Sequence, residues 1–223
     1  MKKILIVCLL SLCAAVTASA ETRNDKAVWH KRATYLNLGY VRQDLSGDMI
    51  PGTVSSDLGG SLSWGRTFYL HKKPIGNFLK FGLDWSWLDL NAARYAPAGM
   101  ENDVYQLDAA MQIGPSLTVN PVGRLKLSAY ARVAPTYSAM WLNETLAHGF
   151  TAHYNYGATL AWRMISVGVE FRNGFKDAFE YKVIDVEKAL EGMEDGGNLS
   201  LSATGKASLA NANTIRFFFG FRF

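Results

Sequence analysis

The sequence predicts an all-β fold, an eight-stranded antiparallel up-and-down barrel that crosses a membrane on its strands. Three observations predict it. Eight segments after residue 33 alternate apolar and polar residues at period two. The connectors between them alternate short and long. No apolar stretch beyond the first twenty residues is long enough for a transmembrane helix, so an exported chain that enters a membrane must do so as strands.

Export is indicated by MKKILIVCLLSLCAAVTASA, with two lysines, an apolar run from Ile4 to Val16 and a small-x-small ending at Ala18-Ser19-Ala20. Residues 1–20 are therefore expected to be a cleaved signal peptide and 21–32 a polar periplasmic leader, with the barrel over 33–223. Cys8 and Cys13 both lie in the leader, which leaves the mature chain without disulfides or cysteine metal sites. Losing Lys2 and Lys3 lowers the formal charge from +4 to +2, so the basic pI does not point to nucleic acid.

The first segment, ATYLNLGYV, sets Leu36, Leu38 and Tyr40 opposite Asn37 and Gly39. In the second, SDLGGSLSWGRTFY, Leu58, Leu62 and Trp64 oppose glycine and serine, and Arg66 on the apolar side signals a bulge or an interfacial position. FLKFGLDWSWLDL alternates most cleanly, with Leu79, Phe81, Leu83, Trp85 and Trp87 against Lys80, Gly82, Asp84 and Ser86. VYQLDAAMQIG sets Tyr105, Leu107, Ala109, Met111 and Ile113 against Gln106, Asp108 and Gln112. LKLSAYARV opposes leucine, alanine and valine to Lys126, Ser128, Tyr130 and Arg132. HYNYGATLAW presents Tyr154, Tyr156, Ala158, Leu160 and Trp162, and VGVEFR sets Val167, Val169 and Phe171 against Glu170 and Arg172. The eighth, TIRFFFGFRF, is aromatic on one face at Phe217, Phe219, Phe221 and Phe223 and carries Arg216 and Arg222 on the other; Phe218 breaks the polar side and is expected among lumen side chains.

Connectors after segments two, four and six are short, and those after one, three, five and seven are longer. That is the asymmetry of periplasmic turns and outer loops. The last, about 173–213, is the longest; Tyr181 to Met193 has helical spacing, and acids outnumber lysines there. A soluble sandwich also alternates, but its outer face is freely charged, whereas glycine, serine, alanine, threonine and asparagine dominate the non-apolar face here and suit a narrow lumen. Aromatics towards segment ends, from Tyr40 and Trp87 to Tyr154, Trp162 and Phe223, suggest interfacial girdles.

With its signal, eight amphipathic strands and terminal phenylalanine, the chain resembles the small outer-membrane β-barrel proteins of Gram-negative bacteria, the class that includes the membrane domain of outer-membrane protein A. The resemblance implies an integral, monomeric outer-membrane protein in contact with outer-membrane lipid and lipopolysaccharide, with Phe219, Phe221 and Phe223 matching the terminal signal recognised by the barrel-assembly machinery.

Lys80, Asp84, Asp108, Lys126, Arg132, Glu170, Arg172, Arg216 and Arg222 would project into the lumen, where charges must pair; a salt-bridged plug is favoured over a narrow pore. His148 and His153, in HGFTAHYNYG, are the candidates for chemistry at the outer end. Lipid A deacylase barrels carry a His-x-Ser pair, but His153-Tyr154-Asn155 has asparagine where the nucleophile would stand. The spacing of the two histidines selects no metal, EDGGN lacks the spacing of a calcium loop, and no cofactor is expected. The sequence thus favours a structural or surface-contact role, with a possible extracellular ligand held by the outer loops.

Overall fold

The computed structural model describes residues 33–47, 50–96, 103–142, 145–174, 180–185 and 205–223. The signal peptide and leader expected from the sequence lie outside the described residues. Ten strands follow in chain order: β1 (Thr34–Gly47), β2 (Ile50–Ser55), β3 (Leu58–Tyr69), β4 (Leu79–Tyr95), β5 (Val104–Val119), β6 (Leu125–Leu142), β7 (Thr145–Trp162), β8 (Ile165–Gly174), β9 (Glu180–Asp185) and β10 (Gly205–Arg222). They form one antiparallel sheet in the order β2-β1-β3-β4-β5-β6-β7-β8-β10-β9, and pairing of β1 with β10 closes it. At the inner rim, Thr34 and Phe223 exchange both backbone hydrogen bonds, at 3.1 and 3.0 Å.

Eight strands make the wall. β2 pairs with β1 beyond the point where β3 leaves it, and β9 lies between β7 and β10 beyond the end of β8. Each therefore continues its neighbour's course outward. Closure through β1 and β10 pairs each of the eight wall strands on both sides, which is what a strand structure needs in hydrocarbon.

Burial alternates along β5, from Val104 to Val119, with Gln106, Asp108, Gln112, Ser116 and Thr118 inside and apolar residues outside. Along the body of the wall the usual soluble pattern is inverted: Lys80, Asp108 and Arg172 are buried while Leu38, Phe217 and Trp162 are exposed. This defines an outer surface meant for lipid.

Two departures from the sequence expectation, and one alternative that it left open, have local causes. β4 bulges at Trp87–Leu88, where Ser86 faces Gln112 but Asp89 faces Ala110, so both apolar residues point outward and Asp89 turns inward. Arg66 is exposed on the lipid side three residues from the inner end of β3, its guanidinium 5.5 Å from the Phe68 ring; it is the interfacial position, and the bulge belongs to the strand beside it. Among the described residues, the outer connectors are also largely strand. β6 and β7 run for 18 residues each and approach within two residues of one another at their outer ends. Ser, Thr, Ala and Pro135 had masked the continuing alternation. Pro135 and Pro115 both fall in gaps of the β5–β6 ladder, which jumps from Ala110–Thr136 to Ile113–Val133 and then to Ser116–Tyr130. A residue without an N–H costs nothing there.

The last connector changes most. Of the stretch from Tyr181 to Met193, which has helical spacing in sequence, the part up to Asp185 belongs to a strand, Glu180–Asp185, paired with β7 and β10, and β10 begins at Gly205. Residues 186–204 lie outside the described residues.

Candidate functional site

The lumen is built from the inward half of each alternation. Lys80, Asp84, Asp89, Asp108, Lys126, Arg132, Glu170, Arg172, Arg216 and Arg222 are all buried. Near the inner end, Lys80 Nζ donates to the Lys72 carbonyl at 3.0 Å and lies 5.3 Å from the Tyr69 ring. The Arg222 guanidinium stands 5.1 Å from the Tyr35 ring, whose hydroxyl is 2.8 Å from Ser86 Oγ.

Above this, five side chains from five strands close a ring. Arg132 of β6 donates to Gln112 Oε1 of β5 at 2.7 Å, and Gln112 Nε2 donates to Asp89 Oδ2 of β4 at 2.6 Å. Asp89 Oδ1 accepts from Arg216 of β10 at 2.7 Å, and Arg216 donates to Glu170 Oε1 of β8 at 3.1 Å. Glu170 Oε2 completes the circuit to Arg132 at 3.5 Å. Asp84 joins from the inner side, 2.8 Å from Arg132, and the Tyr130 ring lies 3.6 Å from the same guanidinium. Ion pairs this deeply buried repay their desolvation only when neighbouring hydrogen bonds satisfy them, and the ring supplies those bonds. Sequence reasoning missed Asp89 because the bulge reverses its side of the strand, and it gave Gln112 no role because a neutral amide carries no charge signal.

A second cluster lies further out. Asp108 accepts from Ser138 at 2.5 Å, Gln106 at 2.9 Å and Asn91 at 3.3 Å, with Arg172 Nη1 at 3.5 Å. Beyond it, Val41, Leu45, Ala93, Tyr95, Val104, Met140 and Ala147 are buried and form an apolar cap inside the outer end of the barrel. The inward frames of β1, β4, β5, β6 and β7 carry these residues, so their signal was present but lay beyond the segments that alternate most clearly.

The histidines do not come together. His153 points into the lumen, 2% exposed, with Nδ1 at 3.0 Å from Arg172 Nη2 and 3.1 Å from Thr136 Oγ1. A guanidinium can only donate, so Nδ1 accepts and the ring proton is assigned to Nε2. His148 projects from the opposite face of β7, where Tyr137 Oη lies 3.0 Å from its Nδ1. Ser138 Oγ is held by Asp108 rather than by a histidine. Asn155, beside His153, is buried as well.

Phe218 is 9% exposed and sits in register between Gly39 and Gly168. A methyl group at residue 168 would lie 2.3 Å from Phe218 Cζ, so the glycine makes room for the ring. Phe219, Phe221 and Phe223 face outward at 43, 42 and 56% exposure.

An apolar belt outside, a charged and hydrogen-bonded lumen inside, and closure through eight strands define a small outer-membrane-type β-barrel protein. No protein-family profile matches the sequence, and no curated protein matches it. Among solved structures, the barrel is similar to Neisserial surface protein A, 11% identical over 86% of this chain and 97% of that one, TM-score 0.49. It is also similar to Ail, the attachment invasion locus protein of Yersinia pestis, at 8% identity over 86% and 99% of the two chains, TM-score 0.43. The outer membrane protease OmpT from Escherichia coli is 9% identical over 85% and 96%, TM-score 0.41. These are likenesses of overall shape; the barrel assignment rests on the ladders described above.

Proposed function

We propose that the protein is a surface-contact component of the Gram-negative outer membrane, anchored by a barrel that conducts nothing and acting through its outer end. The observation that carries this is the ring of Arg132, Gln112, Asp89, Arg216 and Glu170, which crosses the lumen from five strands and is capped further out by buried apolar side chains. An eight-stranded barrel has room for its own side chains and little else. With the lumen filled, activity falls to what the wall and the outer connectors present. Export through the leader at 1–20, contact with outer-membrane lipid and lipopolysaccharide, and recognition of Phe219, Phe221 and Phe223 by the assembly machinery belong to the same proposal. So does an extracellular ligand met by the connector that includes residues 186–204.

Two measurements test it. Reconstituted in planar bilayers, the protein should add no unit conductance at any voltage; discrete openings would overturn the closed lumen. Cells carrying the protein should adhere to a host-cell or matrix surface better than cells without it, and replacing residues 186–204 by a short glycine-serine link should remove the gain while leaving the folded barrel intact. Unchanged adhesion in both comparisons would overturn the surface-contact role.

A further inference from the structure

Charge is divided unevenly along the barrel axis. At the outer end acids and bases are mixed: Arg94 is paired with Asp57, and Asp103 lies 3.8 Å from it. At the inner end, among the described residues, every exposed charged side chain is a cation. These are Arg66 on β3, Lys72 and Lys73 in the turn after it, Arg124 in the turn from β5 to β6 and Arg163 in the turn from β7 to β8. None of the five has an aspartate or glutamate within ion-pair distance among the described residues. The carboxylates of the wall nearest this end, Asp84 and Glu170, are buried in the lumen and already held by Arg132 and Arg216.

Two of these cations stand side by side. The Arg163 N–H donates to the Arg124 carbonyl at 3.4 Å, which joins the two turns. Arg163 also has a φ of 57°, in the left-handed region that glycine or asparagine occupies at least cost. The chain thus holds a guanidinium where a smaller residue would be less strained, beside a second guanidinium and with no carboxylate between them. Each of the three turns sets an exposed apolar residue next to its cations: Leu70 before Lys72, Val122 before Arg124 and Met164 after Arg163. On the wall, Arg66 is in register with Thr34, whose backbone bonds Phe223 at the rim, and it faces lipid with its guanidinium 5.5 Å from the Phe68 ring. An acidic periplasmic protein or polymer would be met by charge alone. Cations interleaved with exposed apolar side chains fit a surface that is hydrocarbon on one side and anionic on the other.

We infer that the inner rim binds the headgroups of anionic phospholipids in the periplasmic leaflet, with a phosphodiester held between Arg124 and Arg163. The inference rests on the membrane placement in the function proposed above, and not on the surface-contact role at the outer end. A guanidinium presents parallel N–H donors to a pair of phosphate oxygens and keeps its charge at any physiological pH, so two adjacent arginines match one phosphodiester group. Arg66, Lys72 and Lys73 add to the positive field around that site. A zwitterionic phospholipid brings the same phosphate together with an ammonium group that these residues repel, so the discrimination is by net charge. Each cation near such a surface changes the partition of an anionic lipid by about fivefold at most, and salt weakens the effect.

The test is native mass spectrometry of the folded chain released from detergent micelles that carry equal amounts of phosphatidylglycerol and phosphatidylcholine with the same acyl chains. The barrel should retain phosphatidylglycerol over phosphatidylcholine by about threefold or more, and the double variant Arg124→Gln, Arg163→Gln should bring the ratio to about one. Arg163→Gly alone should lower the ratio while resisting urea at least as well as the unaltered chain, because glycine takes the positive φ without strain. That pair of results separates lipid binding from a structural role. Arg94→Gln at the outer end should leave the ratio unchanged, and folded gel migration is required of every variant. Equal retention of the two lipids by the unaltered chain, an unchanged ratio in the folded double variant, or an equal fall in Arg94→Gln would each overturn the proposal. So would binding to purified peptidoglycan that the double variant loses, in the absence of any lipid preference. Adhesion and conductance do not enter the readout, so its failure leaves the surface-contact role standing.

Discussion

Removing the Asp89 carboxylate should be among the most damaging single changes in the barrel, although its position in the sequence looks unremarkable. Asp89 is fully buried and accepts from Arg216 at 2.7 Å and Gln112 at 2.6 Å. In Asp89→Ala, Arg216 keeps only Glu170, at 3.1 Å, and the Gln112 amide loses its acceptor. Breaking a buried pair from one side costs about 3–5 kcal/mol, and the surviving Glu170 contact places the expected loss near the lower end, about 3 kcal/mol. Arg216→Met should cost at least as much, because it leaves two carboxylates facing one another across the gap. The double variant should cost clearly less than the two singles together, with a coupling of about 2 kcal/mol or more, since it removes both charges. The assay is reversible urea unfolding of the protein in lipid vesicles, followed by tryptophan fluorescence and by the migration difference between folded and boiled samples. A single-variant loss below about 0.5 kcal/mol, or additive losses in the double, would refute the argument that the ring holds the lumen together.

Gly168→Ala places a methyl group 2.3 Å from Phe218 Cζ and 2.7 Å from the Ala158 carbonyl, so it should destabilise the barrel by about 1–3 kcal/mol, with partial rescue by Phe218→Leu; the same unfolding assay checks it, and a lack of rescue would assign the cost to backbone crowding alone. At the outer rim, the hydrogen bond from Arg94 holds the Asp57 carboxyl below its ordinary value. Because that value is depressed in the fold, the stabilisation is present above the unfolded carboxyl value and is lost as pH falls through the folded one. Carboxyl-carbon NMR should show Asp57 titrating below the usual ~3.9, and Arg94→Gln should return it upward. Phe223→Ala should lower the amount of protein assembled in the outer membrane several-fold while refolding from urea into detergent proceeds as before; equal losses in both would make the residue a packing element instead of a recognition signal.

Much of the architecture was legible because a strand has only two faces. Once alternation is visible, the side of every residue in a segment follows, and the burial of Lys80, Asp108, Arg132 and Phe218 needs no knowledge of the partner strands. The same economy failed where a strand broke frame. One extra residue at Trp87–Leu88 moved Asp89 from the apparent lipid side to the centre of the lumen. It failed as well where the inward residues were small or neutral, as along the outer halves of β6 and β7.

The sequence by itself determined that the chain forms strands, which face of each is apolar, and that charges of both signs turn inward. Only the tertiary structure decided who meets whom. Arg216 and Asp89 lie 127 residues apart in the chain and 2.7 Å apart in space. That meeting depends on how far each strand is offset from the next around a closed wall, and on a bulge within one of them. Alternation is a property of one strand, whereas stagger belongs to the ring of strands together. The lumen network is a product of stagger, and no single segment could have announced it.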